Sequence, residues 1–475
     1  MKRFFSVLLT VCMISACCVF FTSCNSVTEK DVLSDPYSVI NEAAENTLSA
    51  FFTDDAGVSK AIIGMVPKGE LSVSFESDDA GGMPLSISEK IYYDLTDRSY
   101  VFDTAYAYDD VDMSFRFYSD KQNFALSGKD ILGSDKTILV NFDSFIDRFD
   151  KSEFVKQFGL DKATVDEIVE GVKELKEGLN SDLANDEEKA VELNKAIYSL
   201  LLNQVTEEKI TNEGGKDIKC IVAEFTINNE NIGKVFNKAE EYKEAEESVD
   251  EDAANDFNDL WEDLSKEVDI QLSVKVFLNK RTNEFAKVEF DGTLTDTYDK
   301  ENPVVLDGEV LFGETEISFA LTVETDEEPL YITAKLTKDV SSEKAEYKFA
   351  VDAVFEGDDL NVLDITYIYE KSSGDIDLTI DFYEDGKNCD TAKLDGNLSV
   401  SKEKISLVFD SLKINEETNE FRFELALSAV DAIPEIPEDA KDFVDIGYVG
   451  WSEILEEFMS SELGKLLYGD LDSEF

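Results

Sequence analysis

The chain has 475 residues, of which 105 are Asp or Glu and 44 are Lys or Arg, and its formal net charge is −61. This charge repels phosphate backbones and excludes nucleic-acid binding, which needs clustered Lys and Arg. Because the sequence contains no His, Ser-His-Asp and Cys-His nucleophiles, His-bearing zinc sites and imidazole pH switches are also excluded. With 43% hydrophobic residues the chain is too apolar for a disordered acidic tail. We interpret the acid excess as a solubilising coat on a large core, the alternative being a role with cations or a basic partner.

The first 24 residues have the pattern of a secretory signal peptide. Lys2 and Arg3 precede an apolar run that ends at Phe21, and small residues follow. The segment Phe21-Thr22-Ser23-Cys24 resembles the lipobox of bacterial lipoproteins, in which the cysteine is acylated after cleavage. The resemblance implies that Cys24 is the lipidation site and anchors the protein to the cell membrane on its extracytoplasmic face.

Two alternatives to this cleavage stay open. The segment Ile14-Ser15-Ala16-Cys17 also matches the lipobox, but cleavage before Cys17 would leave an apolar stub on the mature chain. An ordinary signal peptide or an uncleaved N-terminal helix is the other alternative, although the apolar run is short for a membrane span.

The remaining periodicities divide the chain into successive segments. Composition and hydrophobic period indicate a polar tether, an α+β region, an acidic helical connector, a long strand meander and a helical cover. The predicted boundaries are 1–23 for the signal peptide, 24–35 for the tether, 36–230 for the N-terminal α+β region, 231–265 for the connector, 266–432 for the meander and 433–475 for the cover.

The N-terminal α+β region combines helix and strand patterns. Pro36 opens a predicted helix that carries an apolar face as far as Phe52. From Gly69 the period changes to two, which predicts about five strands ending near Asn141. A helical block from Asp143 to about Leu202 and two further strands complete the region.

From Val268 onward, alternating strands are joined by short turns, so they must be antiparallel neighbours. Asp-Gly pairs inside three strand patterns predict β-bulges at Gly292, Gly308 and Gly396. A sheet this large bends and needs a cover on its apolar face. We therefore predict an α+β fold with a large antiparallel β meander, a curved sheet or half-barrel, covered by helices that include the segment around Trp451.

Few residues suggest chemistry. Cys220 and Cys389 lie in strand patterns, either as one disulfide or as two free thiols. The loop from Asp381 to Gly386 lacks the ligand pattern of a calcium site. The Tyr-rich run from Tyr92 to Tyr118 either lines a cleft or provides cross-strand packing. No catalytic, cofactor-binding or metal residue is assigned.

The order of anchor, helix, strands, helices, meander and closing helix is similar to that of the half-barrel lipoproteins related to the LolA-type carriers of bacterial envelopes. That resemblance implies a concave apolar face, covered by helices, that holds an acyl chain. We expect a non-catalytic envelope lipoprotein that binds a hydrophobic or envelope ligand, with Leu321 and Phe349 as test positions and without a cofactor. The alternatives are a surface interaction or structural lipoprotein with a filled core and, less favoured, a carboxylate-dependent hydrolase.

Overall fold

The computed structural model describes most of the chain after the signal peptide. The described residues are 26–52, 57–65, 67–77, 85–108, 111–128, 132, 136–180, 183–211, 215–244, 266–298, 302–325, 329–355, 358–384, 387–415, 417–461 and 464. Cys17, Cys24 and residues 245–265 of the predicted connector lie outside them.

The predicted fold class is confirmed: the chain is α+β, with a large and mostly antiparallel open sheet and helices. The α-helices are α1 (Glu29–Ser34), α2 (Pro36–Phe51), α3 (Val58–Met65), α4 (Phe142–Arg148), α5 (Glu153–Phe158), α6 (Lys162–Asn180), α7 (Leu183–Leu201), α8 (Asn229–Glu244) and α9 (Tyr448–Ser460).

The strands follow the predicted order. They are β1 (Lys68–Ser77), β2 (Leu85–Asp94), β3 (Ser99–Tyr108), β4 (Val111–Ser119), β5 (Asn123–Ser127), β6 (Thr137–Asn141), β7 (Leu202–Thr211), β8 (Asp217–Asn228), β9 (Val268–Asn279), β10 (Phe285–Asp296), β11 (Val304–Phe312), β12 (Glu316–Glu324), β13 (Leu330–Val340), β14 (Lys344–Phe355), β15 (Asp358–Glu370), β16 (Asp375–Glu384), β17 (Lys387–Val400), β18 (Lys404–Ile414), β19 (Glu417–Ala429) and β20 (Lys441–Asp442).

The chain divides into two compact units. Unit 1 comprises residues 1–54, 183–368 and 379–391, and unit 2 comprises residues 55–182, 369–378 and 392–475.

In unit 1, strands β7 to β14 form an antiparallel meander in which each strand pairs with the next one in sequence. Helices α1, α2 and α7 contribute to a buried cluster against β8 and β9, which includes Val32, Ala43, Ile221 and Leu278. This cluster joins the helices to the sheet.

The segment predicted as a polar tether contains helix α1, which is a correction. Thr28 caps this helix, because its hydroxyl accepts from the Asp31 amide while the Asp31 carboxylate accepts from the Thr28 amide. Val27 and Val32 flank the cap and are both buried, at 3% and 0% exposure. A capping box with a hydrophobic staple fixes a short helix that polarity alone does not indicate.

In unit 2, β1 to β6 form a second antiparallel meander. Strand β19 pairs with β1, β18 with β19 and β17 with β18, whereas the short β20 pairs in parallel with β6. Trp451 of α9 is buried, as expected of a core residue, and packs against Phe154 and Phe443 with ring centroids 4.9 and 4.7 Å apart.

The three Asp-Gly pairs lie inside strands, but only one marks a bulge. The register of β17 and β18 shifts between Asp395 and Gly396, where the extra residue is Asp410 of β18, so the bulge lies opposite the predicted position. Gly292 and Gly308 pair regularly, so the bulge prediction is wrong there. A Cβ atom at Gly292 would overlap the Gln271 carbonyl oxygen, and one at Gly308 would overlap the Phe290 ring. These two positions require glycine because neighbouring atoms leave no room for a Cβ atom, and not because the strand bends there.

Candidate functional site

One face of the unit 2 sheet carries an apolar row that crosses seven strands. The row joins residues that are directly opposite one another in β17, β18, β19, β1, β2, β3 and β4. Its members are Gly396, Phe409, Phe423, Phe75, Ile87, Tyr106 and Met113. Directly opposed side chains on one face are close enough to pack. We call this set the aromatic row.

A second row lies four residues away along these strands, on the same face. Its members are Val400, Ile405, Leu427, Leu71, Ile91, Phe102, Phe117 and Leu126. We call this set the aliphatic row. Residues of the opposite face alternate with both rows and are mainly polar in β1 and β2, for example Ser72, Ser74 and Ser88. The period of two therefore gives this part of the sheet an apolar face and a polar face.

The apolar face is only partly covered by the described residues. Most members of the two rows are half-buried, while Ile87 is 39% exposed and Leu425, between the rows, is 36% exposed. Helix α3 contacts β18 and β19. The Tyr93 hydroxyl donates to the Met65 carbonyl oxygen over 3.1 Å, which fixes the end of α3 beside the sheet. Apolar surface of this extent, partly open, is typical of a binding face.

Between the two rows runs a middle row that contains one charged residue. Its members are Leu398, Leu407, Leu425, Val73, Glu89, Thr104 and Phe115. Glu89 is half-buried, opposite Val73 on one side and Thr104 on the other. The alternation places Glu89 between Ile87 and Ile91, but periodicity alone does not identify it as a functional residue.

Unit 1 has an apolar face of the same kind. Leu321 is buried in a cluster with Leu306 and Val323, whereas Phe349 is half-buried opposite Leu336. The end of α2 lies over this region, because the ring centroids of Phe51 and Tyr347 are 6.5 Å apart. Leu321 is therefore a core position, and Phe349 is the more suitable test position.

A polar cleft of about 440 Å³ occupies one end of the unit 2 meander. Antiparallel pairing brings the start of β1, β3 and β5 and the end of β2 and β4 to this end of the sheet. The segment 432–436 forms the other wall, with Ile433 and Ile436 packed near Val101 and Tyr118. We call this feature the strand-end cleft.

An ion pair lies in the strand-end cleft. The Lys68 Nζ atom is 2.6 Å from Asp94 Oδ2, and the Asp94 side chain is only 6% exposed. Asp94 also accepts hydrogen bonds from the amides of Thr96 and Asp97. The hydrogen bond from Lys68, together with these amides, holds the pKa of Asp94 below its usual range, and the same pair raises the pKa of Lys68. This arrangement stabilises a turn and does not provide a proton donor at neutral pH.

The tyrosines of the run 92–118 serve both purposes considered in the sequence analysis. Tyr100 and Tyr118 line the strand-end cleft. Tyr93 and Tyr100 are directly opposite each other in the sheet, as are Tyr106 and Met113. The run therefore contributes both to cross-strand packing and to a cleft.

The described cysteines are free thiols. Cys220 is buried, and burial raises the pKa of its thiol to about 11. Cys389 is exposed, and its Sγ lies 3.3 Å from the Phe382 carbonyl oxygen. In the loop that begins at Asp381, the Asp381 carboxylate accepts hydrogen bonds from Asn388 and Thr391. Gly386 lies outside the described residues.

The described residues contain no cluster of His, Cys, Asp or Glu that would hold a metal ion. A hydrolase would need a carboxyl group with a raised pKa in a cleft. Among the carboxyl groups of the described ranges, each displaced pKa is displaced downward; these groups are Asp31, Asp35, Asp94, Asp161, Glu207, Glu230, Glu346, Asp375 and Glu424. In the part of the chain that the structure describes, no helix has the length and apolar character to cross a membrane.

Comparison with known proteins adds little. No family model and no curated protein matches the chain. Among solved structures, the chain is similar to the crystal structure of the outer membrane protease OmpT from Escherichia coli at 7% identity, over 76% of this chain and 92% of that one, with a TM-score of 0.07. A likeness at this level carries no argument about fold or function.

Proposed function

We propose that this chain is a membrane-anchored extracytoplasmic lipoprotein that binds a hydrophobic ligand between its sheet and helices, without catalysis. The anchor is supported by the resemblance of Phe21-Thr22-Ser23-Cys24 to a lipobox. Ligand binding is supported above all by the aromatic and aliphatic rows of unit 2, which span seven or more strands and are only half-buried.

Exposed apolar surface is costly, at roughly 25 cal/mol per Å² of area that stays in contact with water. Soluble proteins seldom keep contiguous apolar patches of more than a few hundred Å² unless the patch binds something. An acyl chain lying across the rows would remove this surface from water without needing any polar partner. An acyl chain is therefore a ligand whose apolar character matches that of the sheet face.

A filled-core interaction or structural lipoprotein is the second candidate. It is favoured by ring packing within the apolar face, where Phe75 stacks on Phe421 at 5.8 Å and Phe409 on Phe423 at 6.5 Å. Rings that pack on one another leave less room for a ligand. In that case the acidic outer surface, and not the sheet face, would contact a partner.

The deciding experiment is native mass spectrometry of the chain from Asn25 onward, purified without detergent, followed by organic extraction. We expect a hydrophobic molecule to copurify and to be lost in Ile87→Asp. Ser88→Asp is the matched control, because it places the same charge on the opposite face of β2. An apo mass, with no uptake of a fluorescent fatty alcohol, would refute ligand binding and leave the filled-core candidate.

A further inference from the structure

Glu89 is the one charged side chain in the three rows of the unit 2 apolar face. Its carboxylate stands between Ile87 and Ile91 along β2, with Val73 directly opposite on β1. Directly opposite on β3 is Thr104, the other polar member of the middle row in this part of the sheet. The two residues form a small polar island in an apolar surface.

The island has no partner among the residues that the structure describes. Within those ranges neither the Glu89 carboxylate nor the Thr104 hydroxyl forms an ion pair or a hydrogen bond, although both residues are half-buried. Two carboxylates on other strands of this unit do have cationic partners, Asp103 with Arg116 and Glu424 with Lys404. A carboxylate that is partly removed from water loses some hydration energy, and a cationic group placed beside it would compensate for that loss.

Assuming the ligand binding proposed above, we propose that the unit 2 apolar face selects single-chain amphiphiles that carry a protonated amine. The ammonium group donates hydrogen bonds to the Glu89 carboxylate and the Thr104 hydroxyl, and the alkyl chain lies across the flanking rows. A hydrogen bond between charged groups is about twice as strong as one between neutral groups. The formal net charge of −61 acts in the same direction, because it disfavours an anionic head group.

The test compares three probes of equal chain length: dodecylamine, dodecanol and dodecanoate. Their dissociation constants are measured by native mass spectrometry at micromolar concentrations with the chain from Asn25 onward. We expect dodecylamine to bind about tenfold more tightly than dodecanol, and dodecanoate most weakly. If none of the three binds, the proposed function itself fails.

Variants separate the role of Glu89 from the effect of overall charge. Glu89→Gln should bring the dodecylamine affinity to within about twofold of the dodecanol affinity. Glu76→Gln removes the same charge from the opposite face of β1 and should preserve the preference. If the wild type binds dodecanol and dodecylamine equally, or if Glu76→Gln abolishes the preference as Glu89→Gln does, the inference about Glu89 is overturned although ligand binding stands. A dimer that forms without ligand and dissociates in Ile87→Asp would also overturn it, because the face would then bind a second copy.

Discussion

The ring of Phe290 lies directly over the backbone of Gly308, its opposite neighbour across β10 and β11. The same ring stacks on Phe319 of β12, with centroids 6.2 Å apart and an interplanar angle of 20°. One aromatic side chain therefore covers a glycine on the adjacent strand and reaches the strand beyond it. Gly396 and Phe409 repeat this relationship in unit 2.

We expect Gly308→Ala to destabilise unit 1 by about 1–3 kcal/mol, since the added Cβ overlaps the Phe290 ring and forces it from its position. Urea denaturation measures the change in the free energy of unfolding. Gly171→Ala is the contrasting control, because no atom lies within 4 Å of the added Cβ. Alanine has the higher helix propensity, so this substitution should stabilise α6 by about 1 kcal/mol. A Gly308→Ala protein as stable as the wild type would show that Phe290 does not depend on this glycine.

The sequence predicted the strands well because their alternation has a period of two over long stretches. Gly292 and Gly308 lie inside strands as predicted, but the predicted reason was wrong. A glycine at a β-bulge and a glycine beside a neighbouring strand's atoms have the same local sequence pattern. Only the cross-strand register shows that Phe290 faces Gly308. Helix α1 cannot be predicted from hydrophobic periodicity, because its six residues are too few to show a helical period.

The candidate site was predictable in part. The alternation predicted an apolar sheet face, but Glu89 became noticeable only when the register placed it in an apolar surface with Thr104. The strand-end cleft depends on the return of residues 432–436 to Val101 and Tyr118, a contact between distant parts of the sequence. Neither local propensity nor periodicity contains that information.

The cap of α1 gives a second prediction. Thr28→Ala should destabilise the docking of α1 by about 1 kcal/mol, because the Asp31 amide loses its acceptor. Thr28→Ser keeps the hydroxyl and should remain close to the wild type. Hydrogen exchange of the α1 amides is the measurement. Equal protection in Thr28→Ala and Thr28→Ser would mean that burial of Val32 alone holds the helix.

Lys338 joins β13 to the end of α2. Its Nζ donates to the carbonyl oxygens of Ala50 and Phe51, each over 2.8 Å, and lies 4.9 Å from the centre of the Phe51 ring. A cation at a helix C-terminus also interacts favourably with the helix dipole. Lys338→Met should therefore lower the free energy of unfolding by about 1.5–3 kcal/mol.

Lys335→Met is the control on the same strand for Lys338→Met. Lys335 pairs with Glu316 and its own side chain is 54% exposed, so Lys335→Met should lower the free energy of unfolding by less than about 1 kcal/mol. Thermal and urea unfolding of both variants make the comparison. Similar costs for the two substitutions would show that the contacts of Lys338 with α2 add nothing to an ordinary surface charge.

The ion pair of Lys68 and Asp94 predicts a pH dependence. The folded-state pKa of Asp94 is lowered, so its contribution to stability is complete above the unfolded value of about 3.9 and is lost as pH falls through the folded value. The folded-state pKa of Lys68 is raised, so its contribution is complete below about 10.4 and is lost as pH rises through the folded value. Asp94→Asn should therefore lower the melting temperature at pH 7, and the difference from the wild type should narrow in strong acid. A difference that stays constant down to about pH 2 would contradict an electrostatic origin.

The buried position of Val27 limits how far unit 1 can lie from a membrane that holds Cys24. Val27 follows Cys24 by three positions, and three residues span at most roughly 10 Å. With the lipid on Cys24 as proposed, a fluorophore on Leu33→Cys, in a Cys389→Ser background, should transfer energy efficiently to an acceptor in the bilayer. A ten-residue Gly-Ser insertion after Cys24 adds a flexible segment with an r.m.s. length of about 17 Å and should lower the transfer efficiency. Unchanged transfer after the insertion would mean that Cys24 does not hold unit 1 at the membrane. Cleavage before Cys17 would lengthen the tether by seven residues and lower the starting efficiency as well, because the label would begin farther from the bilayer.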